Sequence, residues 1–116
     1  MWRIEIEPEV ATWLDNLAPP HFDEAAEAID RLRASGNHLR MPLSRPLGDG
    51  LFELWFSCAG VARRVTYWYA DWQPRLVILL TTFRKQRDVE RREIDPARAA
   101  LERCRRSHGP ASGRHD

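Results

Sequence analysis

Trp2-Arg3-Ile4-Glu5-Ile6-Glu7 alternates apolar and charged side chains, the period of a strand with one face buried. The period then changes. Pro8 suits a first helical turn, and Val10, Trp13, Leu14 and Leu17 recur at helical spacing until Pro19-Pro20 closes the segment. A second stripe, Phe22, Ala25, Ala26, Ile29 and Leu32, runs from Pro20 to Ser35-Gly36, where Gly36 can take the positive φ that ends a helix. Together these segments predict an antiparallel helical hairpin.

Asn37 to Gly50 carries two prolines, two glycines and no periodic pattern, so it reads as a surface connection long enough to hold functional residues. Three runs rich in aromatic and β-branched residues follow: Leu51 to Phe56, Val61 to Ala70 and Leu76 to Phe83. They predict an antiparallel meander. Leu76-Val77-Ile78-Leu79-Leu80 does not alternate, which predicts a central strand covered on both faces. Asp95 is placed to cap a last helix with Pro96 in its first turn, and Ala97, Ala100, Leu101 and Cys104 form its stripe. The order β-α-α-β-β-β-α predicts one α+β domain over residues 1–106: an N-terminal strand, a helical hairpin, a three-stranded antiparallel meander and a C-terminal helix. Residues 107–116 have the composition of a disordered tail.

A chain of 116 residues has room for one core. With 43% hydrophobic and 30% charged residues it is a folding composition before the tail. No run approaches the roughly 18 apolar residues of a membrane span, and the N-terminus lacks a secretory pattern. A cytoplasmic protein without a membrane partner is expected. Cys58 and Cys104 have no CxxC spacing and no ligand neighbours, so reduced structural thiols are expected, with no metal and no cofactor. The net charge of +1 conceals a gradient, since residues 1–46 hold 5 basic and 8 acidic side chains whereas residues 61–106 hold 12 and 6. Of the 18 basic residues 17 are arginine, and the one lysine is Lys85.

The chain contains no HExxH, no GxSxG, no phosphate-binding loop and no histidine pair at metal spacing. What remains is arginine on a sheet. Alternation puts Val65, Tyr67 and Tyr69 on one face and Arg64, Thr66 and Trp68 on the other; the tyrosine face is expected under the helical hairpin. Fixed guanidinium groups interleaved with aromatic rings suit single-stranded nucleic acid. Equally, Arg63 and Arg64 can pair with Glu53 across strands. The stretch from Thr82 to Glu93, TFRKQRDVERRE, sets Arg84, Lys85, Arg87, Arg91 and Arg92 against Asp88, Glu90 and Glu93. That is either a solvated helix or a grip on a polyanion held by the end of a buried strand. Trp55 and Trp68 read as core or as a stacking platform.

Four segments in order carry a likeness: Pro46 to Leu54 (PLGDGLFEL), Arg64-Val65-Thr66-Tyr67, Leu79 to Lys85 (LLTTFRK), and Arg92-Glu93-Ile94 with Ala97. In them the chain resembles the RelE/HigB toxin superfamily, in its phage-derived Gp49-like branch, from Trp2 to about Arg106. The resemblance implies a toxin of a type II toxin–antitoxin pair that inhibits translation. Such a toxin is a metal-independent endoribonuclease acting on mRNA at the ribosome, restrained by a cognate antitoxin often of helix-turn-helix type. It also implies that Arg64 and Lys85 are the catalytic cations, with Arg63, Arg84, Arg87, Arg91, Trp55 and Trp68 as candidate RNA contacts. This chain departs from the pattern where RelE has two strand lysines, at Glu53 and Trp55, and a C-terminal tyrosine, near Arg91. The general base is therefore unassigned, and two other readings stay open: a non-enzymatic toxin on the same fold that binds gyrase, as ParE does, and a catalytically inactive RNA-binding module.

Overall fold

The computed structural model describes residues 1–85 and 90–108, the backbone alone at Glu90, Arg91 and His108. Strand β1 (Arg3–Ile6) leads into α1 (Pro8–Asp15) and α2 (Pro19–Ser35), each with a proline in its first turn. A short turn of 3-10 helix (Gly36–His38) precedes β2 (Ser44–Gly48), β3 (Leu51–Cys58), β4 (Val61–Tyr69), β5 (Leu76–Arg84) and α3 (Glu90–His108). The strands form one sheet in the order β1-β5-β4-β3-β2. β1 runs parallel to β5, and the remaining neighbours are antiparallel.

The expected α+β architecture is present, with helices on both faces of the sheet. On one face α1 and α2 bury Val10, Leu14, Ala25, Ala28, Ile29 and Leu32 against Leu54, Val65, Tyr67, Val77 and Leu79. On the other, Ala97, Ala100, Leu101 and Cys104 of α3 pack on Leu51, Trp68, Leu76, Ile78 and Leu80. Successive residues of β5 thus enter opposite cores, which is why its sequence does not alternate. The tyrosine face of β4 lies under the hairpin, as its alternation predicts.

Several details differ from the sequence reading. The supposed loop after Gly36 contains β2, an edge strand paired with β3 through Ser44↔Leu54, Arg45↔Glu53 and Pro46↔Phe52. Pro46 is tolerated because an edge strand has a side that needs no N–H donor. Helix α3 starts at Glu90, not after Asp95, so Pro96 lies inside it. Proline there forfeits one backbone hydrogen bond, while Ile94 and Ala97 on either side pack into the α3-side core. The same helix reaches His108, so Ser107 and His108 are helical and not tail; residues 109–116 lie outside the described residues. On α2, Phe22 is exposed and Ala28 takes its place in the core. Among the described residues no helix is long and apolar enough to cross a membrane.

Candidate functional site

The core-facing residues of α3 pack on Leu51, Trp68, Leu76, Ile78 and Leu80. On the same face of the sheet, alternation, together with the β4–β5 register shift between Thr66 and Tyr67, sets Arg45, Glu53, Trp55, Arg64, Thr66, Thr81 and Phe83 in cross-strand rows. The first row is Arg45↔Glu53↔Thr66↔Thr81 and the second is Trp55↔Arg64↔Phe83. The first has buried polar members: Glu53 is 3% exposed, Thr66 0% and Thr81 4%. Thr66 Oγ1 and Thr81 Oγ1 share a hydrogen bond of 2.5 Å, and the Thr81 N–H donates to Thr66 Oγ1 at 3.1 Å.

Glu53 Oε1 is the centre of the cluster. Trp55 Nε1 donates to it at 2.7 Å and Arg45 Nε at 3.1 Å, while Arg64 Nε stands 3.6 Å away as an ion pair. Both guanidinium groups also lie over the Trp55 ring, Arg64 at 4.2 Å and Arg45 at 5.3 Å from its centroid. The cross-strand pairing with Glu53 weighed for Arg64 is therefore present, together with the aromatic contact.

Lys85 follows the end of β5, and its N–H donates to the Ala62 carbonyl at 2.9 Å. This extends the β4–β5 register by one residue and makes Lys85 the diagonal neighbour of Arg64, about 7–8 Å away. The Lys85 side chain is exposed. The two residues singled out as catalytic cations thus share one end of one ladder.

Not all the other candidates join them. Arg63 points to the hairpin face, its guanidinium 4.6 Å from the Trp13 ring centroid and its Nε donating to Thr82 Oγ1 at 3.0 Å. Burial, with the like charge of Arg84 adding to it, pulls the Arg63 guanidinium below its ordinary value. Arg84 pairs with Arg63 across the ladder and is exposed. Trp68 is corrected outright: at 2% exposure it is a core residue beneath α3, in ring contact with Trp72 at 5.6 Å, and has no face for a base to stack on. Trp55 is half-buried. Arg87 lies outside the described residues, as does the side chain of Arg91.

Arg45 was missed as a site residue because β2 was read as a loop. A strand assignment for Ser44 to Gly48 would have set Arg45 opposite Glu53. Among the described residues no group of three or more His, Cys, Asp or Glu is gathered to hold a metal ion. Both thiols are buried, and burial pushes Cys58 and Cys104 above the ordinary cysteine range.

A five-stranded sheet between a helical hairpin and a C-terminal helix, carrying cations and an indole gathered on a buried carboxylate, defines a class of small α+β proteins. Residues 12–102 match the family model described as "Phage derived protein Gp49-like (DUF891)", and the chain belongs to that family. No protein among the curated sequences matches it. Among solved structures it is similar to an E. coli RelE mutant in the free state (TM-score 0.60, 10% identity, covering 88% of this chain and 96% of that one). It is likewise similar to the intact E. coli RelBE toxin–antitoxin complex (0.57, 11%, 75% and 100%) and to isolated E. coli RelE (0.57, 9%, 82% and 97%). At such identities the likeness is one of fold.

Proposed function

We propose that this protein is the toxin of a toxin–antitoxin pair and that it cleaves mRNA in the cytoplasm at the ribosome, with Arg64 and Lys85 as its catalytic cations. The observation that carries the reading is their adjacency on one ladder, beside the half-buried Trp55 ring. Gp49-like membership and the RelE fold agree with it.

RNA cleavage by its own 2′-OH requires that hydroxyl to lose a proton, the phosphorane charge to be stabilised and the 5′ oxygen to gain a proton. Arg64, packed against Trp55 and Glu53, supplies a fixed planar donor for phosphate oxygens. Lys85, exposed on an anchored backbone, brings the second charge and a proton that can be exchanged. Glu53, with a side chain 4% exposed and facing three donors, is not presented to a 2′-OH. The partner in this reading is an antitoxin of complementary charge, of the helix-turn-helix type common in the superfamily.

The test is transcript-end mapping with growth curves after induction of the wild-type chain, Arg64→Gln and Lys85→Ala. Growth arrest with new cuts inside translated transcripts, lost in either variant, is expected. Arrest without cuts, accompanied by inhibition of gyrase supercoiling, would sink the nuclease reading in favour of a gyrase-binding toxin. A second reading, RNA binding without cleavage, draws on the acidic Glu53 and the neutral Trp55 where RelE carries lysines. It predicts salt-sensitive RNA affinity and intact transcripts.

A further inference from the structure

A buried carboxylate works against a phosphate-binding surface twice over, since its desolvation is costly and its charge opposes the anion to be bound. Glu53 nevertheless stands in the middle of the cluster. Its Oε1 meets Trp55 Nε1 at 2.7 Å, Arg45 Nε at 3.1 Å and Arg64 Nε at 3.6 Å. The two arginines come from strands on opposite sides of β3, one from β2 and one from β4. Each turns its Nε edge to the same oxygen and lays its guanidinium over the same indole. The indole N–H ends on that oxygen as well.

An apolar side chain would fill this volume at less cost. What it would not supply is direction. Arginine has a long stem with many rotamers, and a guanidinium that is to meet phosphate through a planar fork must first be turned. The ladder fixes the backbone of Arg64 but leaves its long stem free to sweep. A carboxylate on one edge and a ring beneath its plane remove that freedom.

We propose that Glu53 is a positioning residue that sets Arg64, and with it Arg45, against Trp55 in the one orientation that meets RNA phosphate. The proposal rests on the mRNA-cleavage reading above. It adds Arg45 as a further cation beside Arg64 and Lys85 and gives the acidic residue at 53 a task other than proton transfer.

The test measures kcat and KM for transcript cleavage in a reconstituted translation reaction with wild type, Glu53→Gln, Arg64→Gln and the double variant. Nitrogen-15 spectra of the arginine Nε–H groups are recorded alongside. Glu53→Gln should lower kcat on the order of 100-fold, the cost of misplacing a catalytic group by about an ångström, with KM within about threefold. The double variant should be no worse than Arg64→Gln alone, as for residues acting as a unit. The Nε–H signals of Arg45 and Arg64 should exchange faster with solvent in Glu53→Gln. Glu53→Asp, which keeps the charge at shorter reach, should recover part of the loss, and it is read instead if Glu53→Gln unfolds below the assay temperature.

Wild-type kcat in Glu53→Gln beside an inactive Arg64→Gln overturns the proposal and leaves the cleavage reading standing. Losses that multiply in the double variant also overturn it, because a purely structural Glu53 acts independently of Arg64. An Arg64→Gln variant that cleaves at the wild-type rate takes Arg64 out of the chemistry and overturns the proposal while the cleavage reading stands, whereas a wild type that leaves transcripts intact removes the cleavage reading and the proposal together.

Discussion

Replacing Trp68 by alanine separates its two readings, because a stacking platform and a core residue fail differently. Trp68 is 2% exposed, and truncating a buried tryptophan typically costs about 3–5 kcal/mol. Its surroundings argue for the upper part of that range. The Trp72 ring lies at 5.6 Å and the Arg105 guanidinium at 5.1 Å from the indole, contacts worth roughly 0.5–1.5 and 0.5–2 kcal/mol that vanish in the same substitution. These overlap with the burial figure, so about 4–5 kcal/mol is expected for Trp68→Ala and about 1–2 kcal/mol for Trp68→Phe. For a domain of this size each kcal/mol lowers Tm by about 4 °C, so the alanine variant should melt roughly 15–20 °C below wild type in circular dichroism. Against a total stability of about 5–15 kcal/mol, that leaves little reserve at 37 °C. A Trp68→Ala protein within about 1 kcal/mol of wild type, yet deficient in RNA binding, would refute the core assignment.

Two further perturbations test how the elements are joined. Gly36 has φ +54°, and a Cβ there would stand 2.0 Å from Trp2 Nε1. Gly36→Ala should therefore cost about 2–4 kcal/mol in urea unfolding, falling to backbone strain of about 1–3 kcal/mol in a Trp2→Ala background; strictly additive costs would refute the clash. Glu24 accepts the Ala59 N–H at 2.9 Å, and this bond, followed by the one to His21, holds its carboxyl below the ordinary glutamate value. A folded pKa below the unfolded one stabilises above the unfolded value, about 4.3, and the contribution is lost as pH falls through the folded pKa. Wild type should then exceed Glu24→Gln in Tm near pH 6 and lose that margin toward pH 3. A margin that grew in acid would reverse the assignment.

The parts of the fold that period alone encodes were legible. Helix spacing marked α1 and α2, and the non-alternating Leu76 to Leu80 announced a strand with a core on each side. Period two also separated Arg64 from Arg63, although the first was expected as a catalytic cation and the second as an RNA contact of the same site; adjacent residues on a strand cannot share a face. Strand β2 was hidden by Pro46, by Gly48 at its end and by Gly50 in its turn, features that mark loops unless the strand lies at an edge. That error removed Arg45 from view and with it the arrangement around Glu53. The sequence placed Glu53 across from arginine, but only the packing shows that three donors converge on one oxygen. Trp68 was ambiguous because an indole serves equally well in a core or on a surface, and the extent of α3 decides which.

Arg64 and Lys85 are unequal as tests of the proposed chemistry. The Arg64 side chain is 12% exposed, packed on Trp55 and paired with Glu53. Arg64→Ala removes a cation–π contact worth about 0.5–2 kcal/mol and a buried stem, and it leaves the Glu53 carboxylate to Arg45 and Trp55. A destabilisation of about 2–3 kcal/mol follows, so inactivity of that variant mixes lost fold with lost charge. Lys85 contributes to the fold through its N–H to the Ala62 carbonyl, a bond alanine retains, and its side chain is exposed. Lys85→Ala should therefore stay within about 0.5 kcal/mol of wild type while losing transcript cleavage by at least about 100-fold, the low end of what proton transfer by a placed side chain contributes. Cleavage at the wild-type rate would exclude Lys85 from the chemistry. A melting temperature several degrees lower would instead show that its side chain holds the end of β5, and the activity loss would then say nothing about catalysis.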